Sequence, residues 1–198
     1  MSGVRVARST DRAATVAVLT EAFSVDPVVR WFFDDDATYP ARAEAFFGFL
    51  FDQRLAAGGA WVTDGLEATA LWSPPAEGSS EWGDRAWARV LGELTAAEVE
   101  RCDRWDAAVE PHHPSAPHWY LGVLGTAAAH QGRGLGPAVA RPGMDAAAAA
   151  GLPAFLETGV ERNVALYERM GFVVTGVIDR PDLPAGWCLC RDPRDPGG

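Results

Sequence analysis

The first half of the chain mixes helical and extended patterns. Apolar residues recur at helical spacing in several segments, and shorter stretches alternate between apolar and polar residues, as strands do. The predicted helices cover residues 10–23, 40–57, 85–94 and 96–109. Residues 28–33 are expected to form a short helix or a turn, and a loop is expected over residues 74–83. The predicted strands cover residues 4–8, 60–63 and 68–72. Thr10 and Thr95 precede helical segments, so we expect each hydroxyl to cap a helix N-terminus.

The second half has a clearer order of elements, strand-helix-strand-helix-strand-strand. The predicted strands cover residues 118–125, 153–158, 172–178 and 187–190. The predicted helices cover residues 136–150 and 162–169. A helix that connects two neighbouring strands of one sheet makes those strands parallel. We therefore predict the α/β (α+β) class, with a mixed central sheet of about six to seven strands flanked by helices.

The charge of the chain narrows the set of partners. The formal net charge is −10, and all 17 basic residues are arginine. An acidic surface repels phosphate at long range, which argues against nucleic acid and anionic membranes as partners. The same charge suits a cationic partner such as an amine, although it can equally serve only to keep the protein in solution.

No metal site or membrane segment is indicated by the sequence. The three cysteines, Cys102, Cys188 and Cys190, do not have the spacing of metal ligands. No apolar run approaches the ~20 residues of a membrane helix, and the N-terminus lacks the apolar core of a signal peptide. We therefore expect a cytoplasmic protein that holds no metal.

A glycine-rich turn separates the predicted strand at residues 118–125 from the helix that follows. Its sequence is Gln131, Gly132, Arg133, Gly134, Leu135 and Gly136. Glycines allow a tight turn and a close approach of the backbone to a ligand. The start of the following helix offers unpaired N–H groups and a partial positive charge, which suit a pyrophosphate. The turn matches neither the Walker loop nor the dinucleotide fingerprint, and a purely structural turn is the alternative.

Two motifs together resemble the GNAT superfamily of N-acetyltransferases. The pattern Gln131-x-x-Gly134-x-Gly136 after a strand is similar to the acetyl-CoA motif of that superfamily, and residues 162–172 are similar to its C-terminal motif. The resemblance implies an acyl-CoA N-acyltransferase-like fold with a splayed strand pair, and acetyl-CoA as co-substrate. It also implies one domain over residues 1–198. Residues 4–116 would then mainly form the acceptor side, and residues 117–192 the acetyl-CoA-binding and catalytic core.

The resemblance also implies roles for individual residues. The splayed strand end would pair with the pantetheine arm of acetyl-CoA, the glycine turn would hold the pyrophosphate, and one helix would contribute a ligand and an acid. These residues are Leu124, Gly125 and Thr126, then Gln131, Gly132, Arg133, Gly134, Leu135 and Gly136, then Asn163 and Tyr167. A bulge is expected at the strand end, near Thr126. Tyr167 would be the general acid, or a ring that packs on the sheet; Asn163 would bind the cofactor, or cap its helix.

Glu157 is the candidate general base. It lies in the apolar strand Phe155-Leu156-Glu157-Thr158, where a carboxylate is unexpected unless it has a function or a partner. A lysine-like amine must lose a proton before it attacks, and a carboxylate can accept that proton directly or through water. The alternative is a strand-end glutamate that is paired with an arginine.

The predicted function is acetyl transfer from acetyl-CoA directly to an amine of a small molecule, such as an aminonucleoside-type antibiotic or another amine metabolite. Some aromatic residues of the first half could line a pocket for this acceptor, although most of them are expected to lie in the core: Trp31, Phe32, Phe33, Phe46, Phe47, Phe49 and Phe51. The acceptor and acetyl-CoA are the expected partners, and the chain is expected to be a monomer or homodimer. A non-catalytic acyl-CoA-binding sensor domain and a protein N-acetyltransferase are the alternatives.

Overall fold

Six helices and seven strands are formed by residues 3–75 and 92–194, which the computed structural model describes. The helices are α1 (Arg12–Ala22), α2 (Pro27–Phe32), α3 (Tyr39–Ala56), α4 (Ala96–Val109), α5 (Leu135–Ala149) and α6 (Glu161–Arg169). The strands are β1 (Val4–Val6), β2 (Ala60–Thr63), β3 (Ala68–Ser73), β4 (Trp119–Thr126), β5 (Ala154–Thr158), β6 (Val173–Ile178) and β7 (Gly186–Arg191). Most of the predicted loop 74–83 and helix 85–94 lies outside the described residues.

The strands form one mixed sheet in the order β1-β2-β3-β4-β5-β7-β6. Only β4 and β5 are parallel within this described sheet, and α5 makes the crossover between them. The prediction of a mixed sheet of about six to seven strands is confirmed. None of the described helices is long and apolar enough to cross a membrane.

Helices cover both faces of the sheet. The helices α1 to α4 lie over one face, where the aromatic side chains of α3 meet Val62, Val123 and Phe155. The helices α5 and α6 lie over the other face, where Trp72 and Leu156 are buried. Phe155 and Leu156 thus point to opposite faces, as neighbours in a strand do.

The parallel strands β4 and β5 separate soon after they begin. Only Trp119 pairs with Ala154 and Tyr120 with Phe155, and beyond these pairs the strands diverge. On its other side β4 carries a bulge, because Leu71 faces Val123 while Trp72 faces Leu121, which leaves Gly122 as the extra residue. The expected splay is confirmed. The bulge lies at Gly122, earlier in the strand than the predicted end near Thr126, and the small glycine fits between the Tyr120 ring and Arg54.

The helix caps agree with the sequence in one case and differ in another. Thr95 accepts a bond from the N–H of Glu98 and completes a capping box, as predicted. The prediction for Thr10 is wrong, because that residue lies inside a 3-10 turn and α1 begins after Asp11. The Asp11 carboxylate accepts bonds from the Arg8 backbone and the Arg5 guanidinium instead.

Candidate active site

The gap between β4 and β5 opens into a cavity of about 790 Å³. Among the site residues predicted from the sequence, Leu124, Glu157, Asn163 and Tyr167 line this cavity. Its walls come from β4, β5 and α6 on one side and from the first-half helices on the other. Gly125, Thr126 and residues 131–136 are not part of the wall. The splay therefore brings the candidate base and acid to one space.

Glu157 has an unusual environment for a carboxylate. Its Oε1 accepts a hydrogen bond of 2.7 Å from the Tyr120 hydroxyl, while Oε2 has no hydrogen-bond partner within the described residues. Burial raises the pKa of Glu157 to about 7, although Tyr120 and Trp105 each lower it. Arg54 is also close enough to interact electrostatically with Glu157, so the alternative of a glutamate paired with an arginine stands beside the role as a base. A carboxylate of this pKa can exchange a proton near neutral pH.

Tyr120 and Arg54 lie beside Glu157, and neither was predicted as a site residue from the sequence. Burial and the neighbouring Glu157 raise the pKa of Tyr120 well above its usual value, so its hydroxyl remains a donor. Arg54 is 4% exposed, and burial lowers its pKa to about 10 against the attraction of Tyr120 and Glu157. The signal for Arg54 was its spacing, because it follows Phe47 and Leu50 on the apolar stripe of α3.

Tyr167 and Asn163 project from α6 toward the same cavity. The Tyr167 ring is 7% exposed and meets Phe172 edge-on at 6.2 Å between ring centres. Burial, with Glu157 and Asp26 nearby, raises the pKa of Tyr167, so the hydroxyl is protonated at neutral pH. Asn163 lies one turn before Tyr167, and α6 is capped at Val160, so the alternative that Asn163 caps this helix is wrong.

The glycine turn has an open, backbone-lined surface. Gly132 and Gly134 both have φ of +74°, and nothing lies within 4 Å of the position where a side chain would begin. No side chain caps α5 at Gly134, which leaves the first N–H groups of the helix for an anion. Arg133 is exposed beside them.

The glycine turn is fastened to the end of β4. The Gln131 side-chain amide donates to the carbonyl of Thr126 at 3.2 Å. A side chain at Gly136 would begin 3.8 Å from Thr126 Oγ1 and 3.9 Å from Leu124 Cδ2. Because Leu124 also lines the cavity, the glycine turn lies at the β4 end of that cavity.

The acceptor wall combines aromatic and acidic side chains. Phe23, Phe32, Phe46 and Phe47 line it, as the sequence suggested for some of the aromatic residues. The carboxylates in the wall are those of Asp26, Asp106, Glu110 and Glu157. The exposed cluster at residues 34–36 lies elsewhere, where Asp34 pairs with Arg101 and Asp36 with Arg30. No group of three or more His, Cys, Asp or Glu residues within the described chain is arranged to hold a metal ion.

Comparisons with known proteins agree with this architecture. Residues 84–172 match the model of the acetyltransferase (GNAT) family. The chain is 29% identical to a histone acetyltransferase HPA2 and related acetyltransferase from Corynebacterium glutamicum, with a TM-score of 0.72 and 100% of both chains covered. The arylalkylamine N-acetyltransferase 2 from Aedes aegypti superposes with a TM-score of 0.74 at 10% identity, over 96% of this chain and 98% of that chain.

A third neighbour was solved with a cofactor. The NatC complex bound to Gag peptide and CoA matches with a TM-score of 0.56 at 12% identity, and 96% of each chain is covered. At this identity, as for the Aedes aegypti enzyme, the likeness concerns the fold. The chain therefore has the fold of the GNAT acyltransferases, and residues 84–172 are similar to the acetyltransferase (GNAT) family.

Proposed function

We propose that the protein transfers the acetyl group of acetyl-CoA directly to the amine of a small molecule with an apolar, aromatic body. The observation that carries the proposal is the unpartnered Oε2 of Glu157, whose pKa is near 7, in the cavity that Tyr167 also lines. A single domain does this work in the proposal: residues 4–116 mainly form the acceptor side, and residues 117–192 bind acetyl-CoA and carry the chemistry.

Glu157 accepts the proton that the amine must lose. A lysine-like amine has a pKa of ~10.4, so its deprotonation at pH 7 costs about 5 kcal/mol without help. The Tyr120 hydroxyl holds Oε1 at 2.7 Å, which leaves Oε2 for the amine or for a bridging water. The ionised form of a carboxylate with this pKa is abundant at neutral pH, and the proton is released to solvent after the transfer.

Acetyl-CoA supplies the thioester carbonyl that the amine nitrogen attacks. A backbone N–H near the β4 end, over Leu124 to Thr126, stabilises the negative charge that develops on the carbonyl oxygen. The C–N bond forms, the C–S bond breaks, and the Tyr167 hydroxyl gives its proton to the departing sulfur and regains one from solvent. Burial raises the pKa of Tyr167, but a thiolate in the same dry site is also destabilised, which reduces the mismatch.

The glycine turn holds the pyrophosphate of acetyl-CoA. The space around Gly132 and Gly134 is open, no side chain caps the start of α5, and Arg133 between the two glycines is exposed, so backbone N–H groups and a positive charge are available to the pyrophosphate. Leu124, Gly125 and Thr126 pair with the pantetheine arm, Gln131 fastens the turn, and Asn163 and Tyr167 contact the thioester end.

The helices on the acceptor side favour a small molecule over a protein. Arg101 on α4 bonds to the Phe32 carbonyl and to Asp34 after α2, at 2.7 Å and 3.0 Å. Arg104 on α4 pairs with Asp182, between β6 and β7, at 2.7 Å. These contacts hold α4 in place, and its side chains Cys102, Trp105, Asp106 and Val109 form part of the cavity wall, which suits a small acceptor.

A finer resemblance supports one class of acceptor. The stretch from His130 to Gly136, residues 152–158 and Trp187 resemble puromycin N-acetyltransferase. An aminonucleoside-type antibiotic is therefore a proposed acceptor, and we propose a role of the protein in antibiotic resistance and a cytoplasmic location. The name of the Aedes aegypti neighbour makes arylalkylamines a second class to test.

An amine panel tests the proposal. Acetyl-CoA is mixed with puromycin, arylalkylamines, polyamines and lysine-containing peptides, and thiol release and the acetylated product are measured by absorbance and mass spectrometry. We expect thiol release that depends on a small aromatic amine. Acetyl-CoA binding without release for any amine would support the sensor alternative, and faster acetylation of the peptides would support a protein acetyltransferase.

A further inference from the structure

The turn between α4 and β4 presents a histidine pair to the acceptor cavity. His113 Nδ1 lies 2.9 Å from His118 Nε2, and both residues line the cavity. The His113 ring stacks on Phe155 at 4.3 Å between ring centres and lies 5.5 Å from the Tyr120 ring. His112 fastens the turn elsewhere, because its ring occupies the space beside Gly176 on β6.

The hydrogen bonds of the pair determine its tautomer. His118 Nδ1 lies 3.0 Å from the Ala116 carbonyl, which can only accept, so that nitrogen carries a proton. In the neutral pair, His118 Nε2 is then the acceptor and His113 Nδ1 the donor. The one ring nitrogen of the two histidines that keeps a free lone pair is then His113 Nε2, which makes no hydrogen bond within the described residues.

His113 lies at a fixed offset from the candidate base. Phe155, on which it stacks, shares a face of β5 with Glu157, and residues two apart in a strand are separated by about 7 Å. Tyr120 connects the two groups, since its ring neighbours His113 and its hydroxyl bonds to Glu157. A molecule whose amine reaches Glu157 can therefore extend a second polar group toward His113.

We propose that His113 Nε2 accepts a hydrogen bond from a hydroxyl or N–H group on the body of the acceptor, and that His118 positions His113 for this by fixing its tautomer. His113 is then a specificity-determining residue, and the preferred substrate class is an aromatic amine with a second donor group. This inference rests on the proposed function, because the amine is taken to reach Glu157. The rest of the wall combines aromatic with acidic and other polar side chains, so the bond to His113 adds one directional contact that helps to orient a flat molecule.

The test compares phenethylamine with its 2-, 3- and 4-hydroxy derivatives in wild type and His113→Phe. Phenylalanine keeps the stacking on Phe155 and removes the lone pair. We expect the wild-type KM for at least one hydroxylated amine to be about five- to tenfold below that for phenethylamine, as one neutral hydrogen bond gives. The variant should bring this ratio to about one with little change in kcat. His113→Gln, which retains an acceptor oxygen, should recover part of the preference.

A matched control is His112→Asn, which changes a neighbouring histidine outside the cavity wall and should keep the wild-type ratio. His118→Phe should reduce the ratio without abolishing it, because His113 can then adopt the other tautomer. A wild-type ratio near one for all three derivatives, or an unchanged ratio in His113→Phe, would overturn the inference.

A pH series gives a signature that a packing role would not produce. Protonation of the pair places a proton on His113 Nε2, so the KM ratio should fall to about one as the pH is lowered. Burial, His118 and His112 lower the pKa of His113, and Glu110 raises it. Since the net shift is downward, the preference for the hydroxylated amine should be lost at a lower pH than an ordinary histidine would give. The other titratable or charged groups of this part of the cavity are Arg54, Asp106, Tyr120 and Glu157. Titration of Glu157 affects both amines equally and cancels in the ratio.

Calorimetry separates the two possible failures. If the hydroxylated amine binds more tightly in a His113-dependent manner but no amine is acetylated, the proposed function fails and the specificity site stands. If both amines are acetylated while binding shows no dependence on His113, the specificity site fails and the proposed function stands. A pH-independent ratio in wild type would also contradict the role of the lone pair.

Discussion

The two ends of the candidate site are built from different parts of the chain. The glycine turn is made of backbone at the surface, where Gly132 and Gly134 leave open space. The acceptor end is made of buried side chains, where Glu157 bonds to Tyr120. A backbone-lined end recognises a ligand by shape and N–H groups, whereas a buried side-chain end acquires its reactivity from desolvation. Substitutions should therefore affect cofactor binding at one end and the chemical step at the other.

Tyr167→Phe should have the largest effect, and it should act on the chemical step. The variant keeps the ring that packs on Phe172 and removes only the hydroxyl. If that hydroxyl protonates the leaving thiolate, kcat should fall by on the order of 10²–10⁴ while acetyl-CoA affinity is nearly unchanged. Steady-state kinetics and calorimetry check both values. A fall of less than about tenfold would mean that Tyr167 mainly packs.

Glu157→Gln should stabilise the fold at alkaline pH. The folded pKa of about 7 lies above the ordinary glutamate value of 4.5, so ionisation in the folded state is penalised. The penalty is absent below pH 4.5, grows as pH rises toward 7 and is complete above it, at roughly 3 kcal/mol. Urea unfolding should show the variant to be more stable at pH 8 and similar to wild type near pH 4. Equal stability at both pH values would contradict the buried carboxylate.

Gly134→Val should weaken acetyl-CoA binding at least tenfold, on the order of 1.4 kcal/mol, and leave the fold intact. Gly134 has φ of +74° and open space, so valine adds a strained backbone and a branched side chain where the pyrophosphate is expected. Gly151→Val is the matched control, since Gly151 has φ of +66° with open space at the other end of α5. Calorimetry should show weakened binding only in the first variant; equal losses would indicate that strain alone is responsible.

The difference between the two ends also explains what could be predicted from the sequence. The glycine turn and the pair Asn163 and Tyr167 are short-range patterns, because a few consecutive residues determine the turn and the helix face. The splay of β4 from β5 was expected from the resemblance and is present.

The acceptor end depends on contacts between distant segments. Tyr120 and Glu157 are 37 residues apart, and only the pairing of β4 with β5 brings them together. Arg54 enters the cavity from α3 because that helix packs on the sheet, and its place on an apolar stripe was the only local signal. The bulge at Gly122 depends on the register between β3 and β4, which the sequence of one strand does not determine. Thr10 does not cap α1 because Asp11, one residue later, accepts the local hydrogen bonds from Arg5 and Arg8.

The pH dependence of acetyl transfer in wild type and Glu157→Gln tests the central claim most directly. With saturating acetyl-CoA and the best amine of the panel, wild-type kcat should rise with pH through about 7, as Glu157 ionises. In the variant, kcat should fall by on the order of 10²–10³ and should no longer rise with pH near 7, while acetyl-CoA still binds. A variant that keeps near-normal turnover and a kcat that still rises with pH near 7 would show that Glu157 does not accept the amine proton, and would contradict the account.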